Sequence, residues 1–180
     1  MGSSSREHRR RATEATSRDP VRCAVLTISD TRTEQSDLSG PLIERLLAEH
    51  GHRVVDRAIV RDDAGTIEAR LASWIADDRT QVVLTTGGTG LARRDTSIEV
   101  VRRLITVEIE GFGELFRMLS HRRIGAAAML SRAVAGLACR EQGSSCDTFV
   151  FAMPGSTDAV ETAMKELIAP ELAHLVWHRA

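Results

Sequence analysis

The chain has 180 residues, 42% of them apolar, which is enough for one domain with a buried core. A net charge of −1 and only 3% aromatic residues argue against a nucleic-acid partner, because they offer neither a basic field nor a base-stacking surface. No apolar run is long enough to cross a bilayer, so we expect no membrane partner. The three cysteines, Cys23, Cys139 and Cys146, predict reduced thiols and a cytoplasmic location rather than disulfides.

The amino-terminal residues differ in composition from the rest of the chain. They are rich in Ser, Arg and Glu and contain almost no large apolar side chains. Such a segment cannot bury enough surface to offset the entropy lost on ordering, so we expect residues 1–20 to form a flexible leader. The folded domain is then expected over residues 21–180.

The first half of the domain alternates short β-branched runs with amphipathic segments. Strands are predicted at Val21–Ile28, Arg53–Val60 and Gln81–Thr86, and helices at Gly40–His50, Ala64–Ala76 and Thr96–Ile105. Strands that alternate with helices form parallel β-α-β units. The sequence therefore predicts a three-layer α/β/α domain with a mostly parallel sheet.

The second half is less regular. A helix is predicted at Gly111–Ser120, and strands at Ser131–Cys139 and Asp147–Met153 are close enough in sequence to be antiparallel neighbours. A closing helix is predicted over Thr157–His178, with a break near Pro170.

Three of the predicted strands end in polar or glycine-rich loops. Ser29-Asp30, Asp62-Asp63 and Gly87–Gly90 should meet at one edge of a parallel sheet, where ligands usually bind. The glycines leave bare backbone that could bind a phosphate, although a tight turn without ligand explains them equally well. The loop lacks the lysine of GxxxxGK[ST] and the spacing of GxGxxG, which disfavours a Walker-type NTPase and a dinucleotide-dependent dehydrogenase.

Several ordered motifs match those of a known family. They are TISD (Thr27–Asp30), DLSG (Asp37–Gly40), VRDD (Val60–Asp63), TTGGTGLARRD (Thr85–Asp95), EGFGELFRMLS (Glu110–Ser120), SRAVAG (Ser131–Gly136) and FAMPGS (Phe151–Ser156). On these motifs the chain resembles the MoaB/MogA proteins of molybdenum cofactor biosynthesis over about Arg22–His178, and the last three motifs are closer to the MoaB branch.

This resemblance implies a molybdopterin-binding, MogA-like fold and a molybdopterin adenylyltransferase. In that reaction the terminal phosphate of molybdopterin attacks the α-phosphorus of ATP, and pyrophosphate leaves. The resemblance implies catalytic roles for Asp62 and Asp95, which as hard oxygen ligands would also hold Mg²⁺. The substrate-binding residues that it implies for molybdopterin and ATP are Ser29, Asp30, Asp37, Ser39, Gly40, Thr86, Gly87, Gly88, Thr89, Gly90, Arg94, Ser131, Arg132, Pro154, Gly155 and Ser156. It further implies a homotrimer or hexamer that works with other molybdenum cofactor biosynthesis proteins.

Structural roles remain open for the acidic residues and for Ser156. Asp62 could be an exposed loop acid beside Asp63 as a helix cap, and Asp95 could cap the helix that begins near Thr96. Ser156 could likewise cap the closing helix.

Other roles remain open for Arg132 and for the chain as a whole. Arg132 could pair with Glu110 or Glu114 at the surface, while Met118 and Met129 are expected in the core. The alternative functions are a molybdopterin-binding carrier without turnover and a peptide-binding scaffold on the same fold, like that of the gephyrin domain.

Overall fold

The computed structural model describes residues 20–92, 95–139 and 147–179. The predictions for the leader, for Arg94 and for Cys146 therefore lie outside the described residues. The strands are β1 (Arg22–Ile28), β2 (Arg53–Val60), β3 (Val82–Thr86), β4 (Val107–Glu108), β5 (Val134–Cys139) and β6 (Asp147–Met153). The α-helices are α1 (Ser39–Glu49), α2 (Ala64–Ile75), α3 (Ser97–Leu104), α4 (Glu110–Ile124), α5 (Thr157–Ala163) and α6 (Leu172–Arg179).

The strands form one six-stranded sheet in the order β2-β1-β3-β6-β5-β4. The first four strands of this order are parallel, whereas β5 pairs antiparallel with both β6 and β4. The register aligns Ile28 with Val60, Thr27 with Thr86, and Thr86 with Met153. The carboxyl ends of β1, β2, β3 and β6 consequently lie together, and we call this side of the sheet the carboxyl edge.

Apolar side chains pack on both faces of the sheet. Alternate β1 residues such as Cys23 and Val25 join α1, α4 and α5 in one cluster, while Ala24 and Leu26 join α2 and α3 in the other. This packing confirms the predicted three-layer α/β/α architecture with a mostly parallel sheet. None of the helices in the described ranges is long and apolar enough to span a bilayer.

The elements of the first half agree with their predicted bounds to within one or two residues. The second half needed more correction, because β5 begins at Val134 and not at Ser131. A 3-10 helix at Gly125–Leu130 and the short strand β4 were not predicted. The closing segment is interrupted as expected, but the interruption starts earlier with a π-helical turn at Met164–Ile168.

Two methionines were wrongly predicted to lie in the core. Met118 is 48% exposed and Met129 is 78% exposed. Both belong to α4 and the 3-10 helix that follows it, where apolar spacing continues on a side that no other described element covers. The spacing of apolar residues does not distinguish a core-facing stripe from an exposed one.

Candidate functional site

The loop after β3, which we call the Gly-rich loop (residues 87–92 and 95), has a left-handed backbone, which favours glycine, at two positions. Gly87 has φ of 99° and Gly88 has φ of 61°. A Cβ on Gly87 would collide with the carbonyl oxygen of Ile28, and one on Gly88 would collide with Ser97 Oγ and lie 2.6 Å from Asp62 Oδ2. The loop backbone therefore packs directly against the ends of β1 and β2 and against the start of α3.

Carboxylates from three segments gather beside this backbone. The backbone N–H of Asp62 donates to Asp30 Oδ1 at 3.2 Å, and the N–H and hydroxyl of Thr96 both donate to Asp62 Oδ1 at 3.4 Å. Burial raises the pKa of Asp62 and the negative charges of Asp95 and Asp30 raise it further, while the Thr96 bonds oppose the shift. A cation at this position would relieve that cost.

Asp95 folds back into the Gly-rich loop. Its Oδ2 accepts from the backbone N–H of Ala92 at 3.0 Å, and its own N–H donates to Ala92 O at 2.9 Å. The alternative in which Asp95 caps α3 is therefore wrong, and Thr96 stands at the cap position without a capping bond of its own. The neighbouring acid Asp63 does cap α2, accepting from Thr66 N at 2.8 Å.

Arg132 reaches the Gly-rich loop from the segment before β5. Its guanidinium donates to the carbonyl oxygens of Thr89 at 2.8 Å, Gly90 at 2.6 Å and Asp95 at 3.2 Å. It also forms an ion pair with Glu99 in the first turn of α3. The alternative partners Glu110 and Glu114 are therefore wrong.

The DLSG segment is held internally at the start of α1. Buried Asp37 accepts from Thr27 Oγ1 at 2.8 Å and from the N–H groups of Ser39 at 3.0 Å and Gly40 at 3.1 Å. Arg57 lies 3.7 Å from the same carboxylate. Asp37 thus orders the first turn of α1, and a direct contact with substrate stays a prediction.

The loop after β6 is tied to the neighbouring strand ends. Ser39 Oγ donates to Gly155 O at 2.9 Å, and Thr86 Oγ1 donates to Pro154 O at 3.1 Å. Ser156 accepts from Ala159 N at 3.3 Å and so caps α5, as its alternative role predicted. These bonds hold the segment at residues 153–156, which we call the MPGS loop, and its Gly155 packs on the Gly-rich loop, since a Cβ there would lie 3.1 Å from Gly87 Cα.

Two clefts open at the carboxyl edge. A cavity of about 80 Å³ lies between the ends of β1 and β3, lined by Thr27, Ser29, Thr86 and Gly155 among others. A wider cleft of about 360 Å³ lies over the ends of β1 and β2 and reaches Asp30. The strand order reverses direction between β1 and β3, which is the switch point where open α/β sheets bind ligands.

The structure thus brings most of the predicted site residues to one edge of the sheet. Asp30, Asp62, Asp95 and Gly88 meet around one point. Ser131 differs, since its N–H donates to Ala128 O at the end of the 3-10 helix. Glu99 was not predicted as a site residue, although an acid in the first turn of a helix that follows a Gly-rich loop is a signal of such a role.

Comparison with known proteins agrees with this arrangement. The sequence model of a probable molybdopterin binding domain matches residues 24–174. A Bacillus cereus protein named molybdenum cofactor biosynthesis protein B is 46% identical over 172 residues, which is 95% of each chain. This chain belongs to the MoaB/MogA family.

Solved structures of the family have the same fold. A crystal structure of molybdenum cofactor biosynthesis protein B superposes with a TM-score of 0.83 at 48% identity, covering 89% of this chain and 96% of the other. The tungsten cofactor synthesizing protein MoaB from Pyrococcus furiosus superposes with a TM-score of 0.79 at 37% identity, covering 89% and 97%. Family membership assigns the protein to molybdenum cofactor biosynthesis and gives it a molybdopterin-binding domain.

Proposed function

We propose that this protein is a molybdopterin adenylyltransferase, which uses Mg-ATP to adenylylate molybdopterin and releases pyrophosphate. Beyond family membership, one observation supports this specific activity. Asp30, Asp62 and Asp95 converge on the Gly-rich loop, where Asp62 is kept in a position that raises its pKa. A carboxylate held at such a cost, at the edge of a sheet where ligands usually bind, is characteristic of a reacting centre.

The loop supplies the positioning that phosphoryl-type transfer needs. The reaction joins two anionic phosphates, so catalysis depends on alignment and charge neutralisation rather than on covalent chemistry by the protein. The absence of a Cβ at Gly87 and Gly88 lets the loop backbone pack against Ile28 and beside Asp62, so that the loop lies next to the carboxylates that would hold Mg²⁺. The hydrogen bonds from Ser39 and Thr86 to the backbone of the MPGS loop hold that loop in place beside the Gly-rich loop.

The residues present fit a magnesium ion shared with phosphates. Among the described residues, no three His, Cys, Asp or Glu side chains are grouped so as to hold a metal by themselves. Mg²⁺ in nucleotide enzymes usually takes only one or two carboxylates and completes its shell with phosphates and water. Asp62 and Asp95 would be those carboxylates, and the ion would neutralise the charge that develops on the phosphates.

The decisive assay measures pyrophosphate release from Mg-ATP with and without molybdopterin. We expect release only when both substrates are present, and a strong decrease with Asp62→Asn. A protein that binds molybdopterin stoichiometrically but never releases pyrophosphate would be the carrier, and the proposed activity would be wrong.

The assembly and its setting are also proposals. Leu115, Met118, Ile124, Met129 and Leu130 are all exposed apolar side chains on α4 and the 3-10 helix. Such residues on a small protein support burial in an assembly, and we propose the homotrimer or hexamer that the family resemblance implies. We place the reaction in the cytoplasm, together with other molybdenum cofactor biosynthesis proteins.

A further inference from the structure

Arg132 was expected to bind substrate, but its hydrogen bonds point elsewhere. Its Nε–H donates to Thr89 O, its two Nη2 hydrogens reach the carbonyl oxygens of Gly90 and Asp95, and Nη1 donates to Glu99. A guanidinium has five N–H donors in a fixed fork. Nearly all the N–H donors of the Arg132 guanidinium are bonded to protein oxygens. A bidentate contact with a phosphate would therefore require Arg132 to break its hydrogen bonds to the loop.

The carbonyl groups that Arg132 binds come from both ends of the loop. Thr89 and Gly90 belong to its first part, and Asp95 ends it. The same guanidinium is anchored to α3 through Glu99, whose carboxylate holds it at the start of that helix. The hydrogen bond from Arg132 lowers the pKa of Glu99, which favours the ionised carboxylate in this contact.

We infer that Arg132 and Glu99 form a clamp that positions the Gly-rich loop and Asp95, so that neither residue contacts substrate. This inference rests on the proposed function only for its effect on turnover. The clamp holds the bound carbonyl groups of the loop toward Arg132. In each of these trans peptide units the N–H group points the opposite way, and so it is directed away from Arg132. Because Arg132 binds the backbone carbonyl of Asp95, the clamp also fixes the position of the Asp95 carboxylate relative to that of Asp62.

Amide hydrogen exchange of the ligand-free protein tests the clamp without any assay of function. Arg132→Lys keeps the charge but loses the fork, and Glu99→Gln removes the anchoring charge. We expect the amides of Ala92, Asp95 and Thr96 to exchange about tenfold faster in each variant, as the loss of one net hydrogen bond to the loop predicts. The double variant should exchange no faster than the faster single variant, because both substitutions release the same clamp.

A matched pair on the same helix provides the control. Arg103 of α3 forms an ion pair with Glu68 of α2 at 2.8 Å, one helical turn beyond Glu99 and with no bond to the Gly-rich loop among those seen in the described residues. Arg103→Lys and Glu68→Gln should leave loop exchange unchanged. The melting temperatures of Arg132→Lys and Arg103→Lys should agree to within a few degrees. For a domain of this size, that shift corresponds to a difference in the free energy of unfolding on the order of 1 kcal/mol.

Turnover then separates positioning from direct contact. A displaced loop should lower kcat for pyrophosphate release about tenfold or more in Arg132→Lys and Glu99→Gln, with KM for Mg-ATP within about threefold. Unchanged loop exchange in both variants overturns the clamp, whatever the activity. Uniformly faster exchange across the sheet also overturns it, since it would show a general structural role. An inactive wild type would refute the proposed function, whereas the exchange result would still decide on the clamp.

Discussion

The two ends of the sheet differ in what they expose. At the carboxyl edge, β1, β2, β3 and β6 end in carboxylates, hydroxyls and left-handed glycines, and nearly every polar side chain is bonded to a neighbouring loop. The antiparallel end, formed by β4, β5, α4 and the 3-10 helix, exposes apolar side chains instead. At the first end, electrostatic and conformational cost is concentrated at the proposed ligand site, whereas the second end presents apolar surface that an assembly would cover.

This contrast has a consequence for mutagenesis. At the carboxyl edge, removing the charge of Asp62 can remove activity while leaving stability unchanged or even higher, because its ionised form is held there at a cost. At the antiparallel end, a substitution should alter association and leave the folded monomer nearly intact. Substitutions at each end can test this separation.

The largest effect is expected at Gly88. Gly88→Val places a branched side chain at φ of 61°, where its Cβ would meet Ser97 and Asp62. Strain and overpacking together should lower the free energy of unfolding by about 3 kcal/mol. The space beside Gly88 is thus filled by protein, so a loss of ligand binding in this variant could not be separated from its loss of stability. Chemical denaturation measures the loss.

Gly51 is the matched control for Gly88. It has φ of 76°, but no described atom lies within 4 Å of the position that a Cβ would take there. Gly51→Asn should therefore cost well under about 1 kcal/mol, because Asn tolerates the left-handed region. Equal losses for the two variants would show that crowding at Gly88 is unimportant.

The next effect separates two adjacent acids. Asp62→Asn should reduce pyrophosphate release about a hundredfold or more, since it removes a charge from the proposed reacting centre. Asp63→Ala should keep activity but lower the free energy of unfolding by about 1 kcal/mol through loss of the α2 cap. If Asp62→Asn retained full activity, Asp62 would have no catalytic role.

The stability of Asp62→Asn has a defined dependence on pH. Since the folded protein raises the pKa of Asp62, ionisation of this group costs stability above the ordinary carboxyl pKa of about 3.9. Asp62→Asn should therefore melt at a higher temperature than the wild type near neutral pH. The difference should vanish as the pH falls below that value, where Asp62 is protonated in both states. A variant that is less stable at neutral pH would contradict the raised pKa.

Much of this contrast was predictable from the sequence. Strand ends with acids and glycines in a β-α-β pattern placed Asp30, Asp62 and Gly88 on one edge, because parallel strands align their carboxyl ends. The clamp was not predictable, since Arg132 and Glu99 are distant in sequence and their pairing depends on how the segment before β5 crosses the loop. The exposure of Met118 was also missed, because one sequence does not show which apolar stripe lacks a covering element.

A smaller effect is expected at the antiparallel end. Met129 is 78% exposed, and Met129→Lys should weaken association about tenfold by placing a charge on the surface that a second copy would cover. Unfolding of the dissociated protein should be nearly unchanged. Light scattering over a concentration series measures the assembly. Val55→Lys, on the edge strand β2, is the control and should associate normally. If Met129→Lys also associated normally, this surface would not be the interface.

The smallest effect concerns a histidine far from both ends of this comparison. His52 is buried, its Nε2 lies 3.3 Å from Ala169 O, and its Nδ1 has no hydrogen-bond partner among the described residues. Burial lowers the pKa of His52, and the charge of His50 lowers it further, against the bond to Ala169. The folded state therefore favours neutral imidazole, and the stability that depends on it is present above the ordinary pKa of about 6.5 and is lost as the pH falls through that value.

Between about pH 7.5 and 5.5 the melting temperature of the wild type should fall more than that of His52→Gln, which cannot take up a proton. His50→Gln, which leaves the buried ring in place, should keep most of the wild-type dependence. Parallel melting curves for the wild type and His52→Gln would show that His52 does not titrate on unfolding.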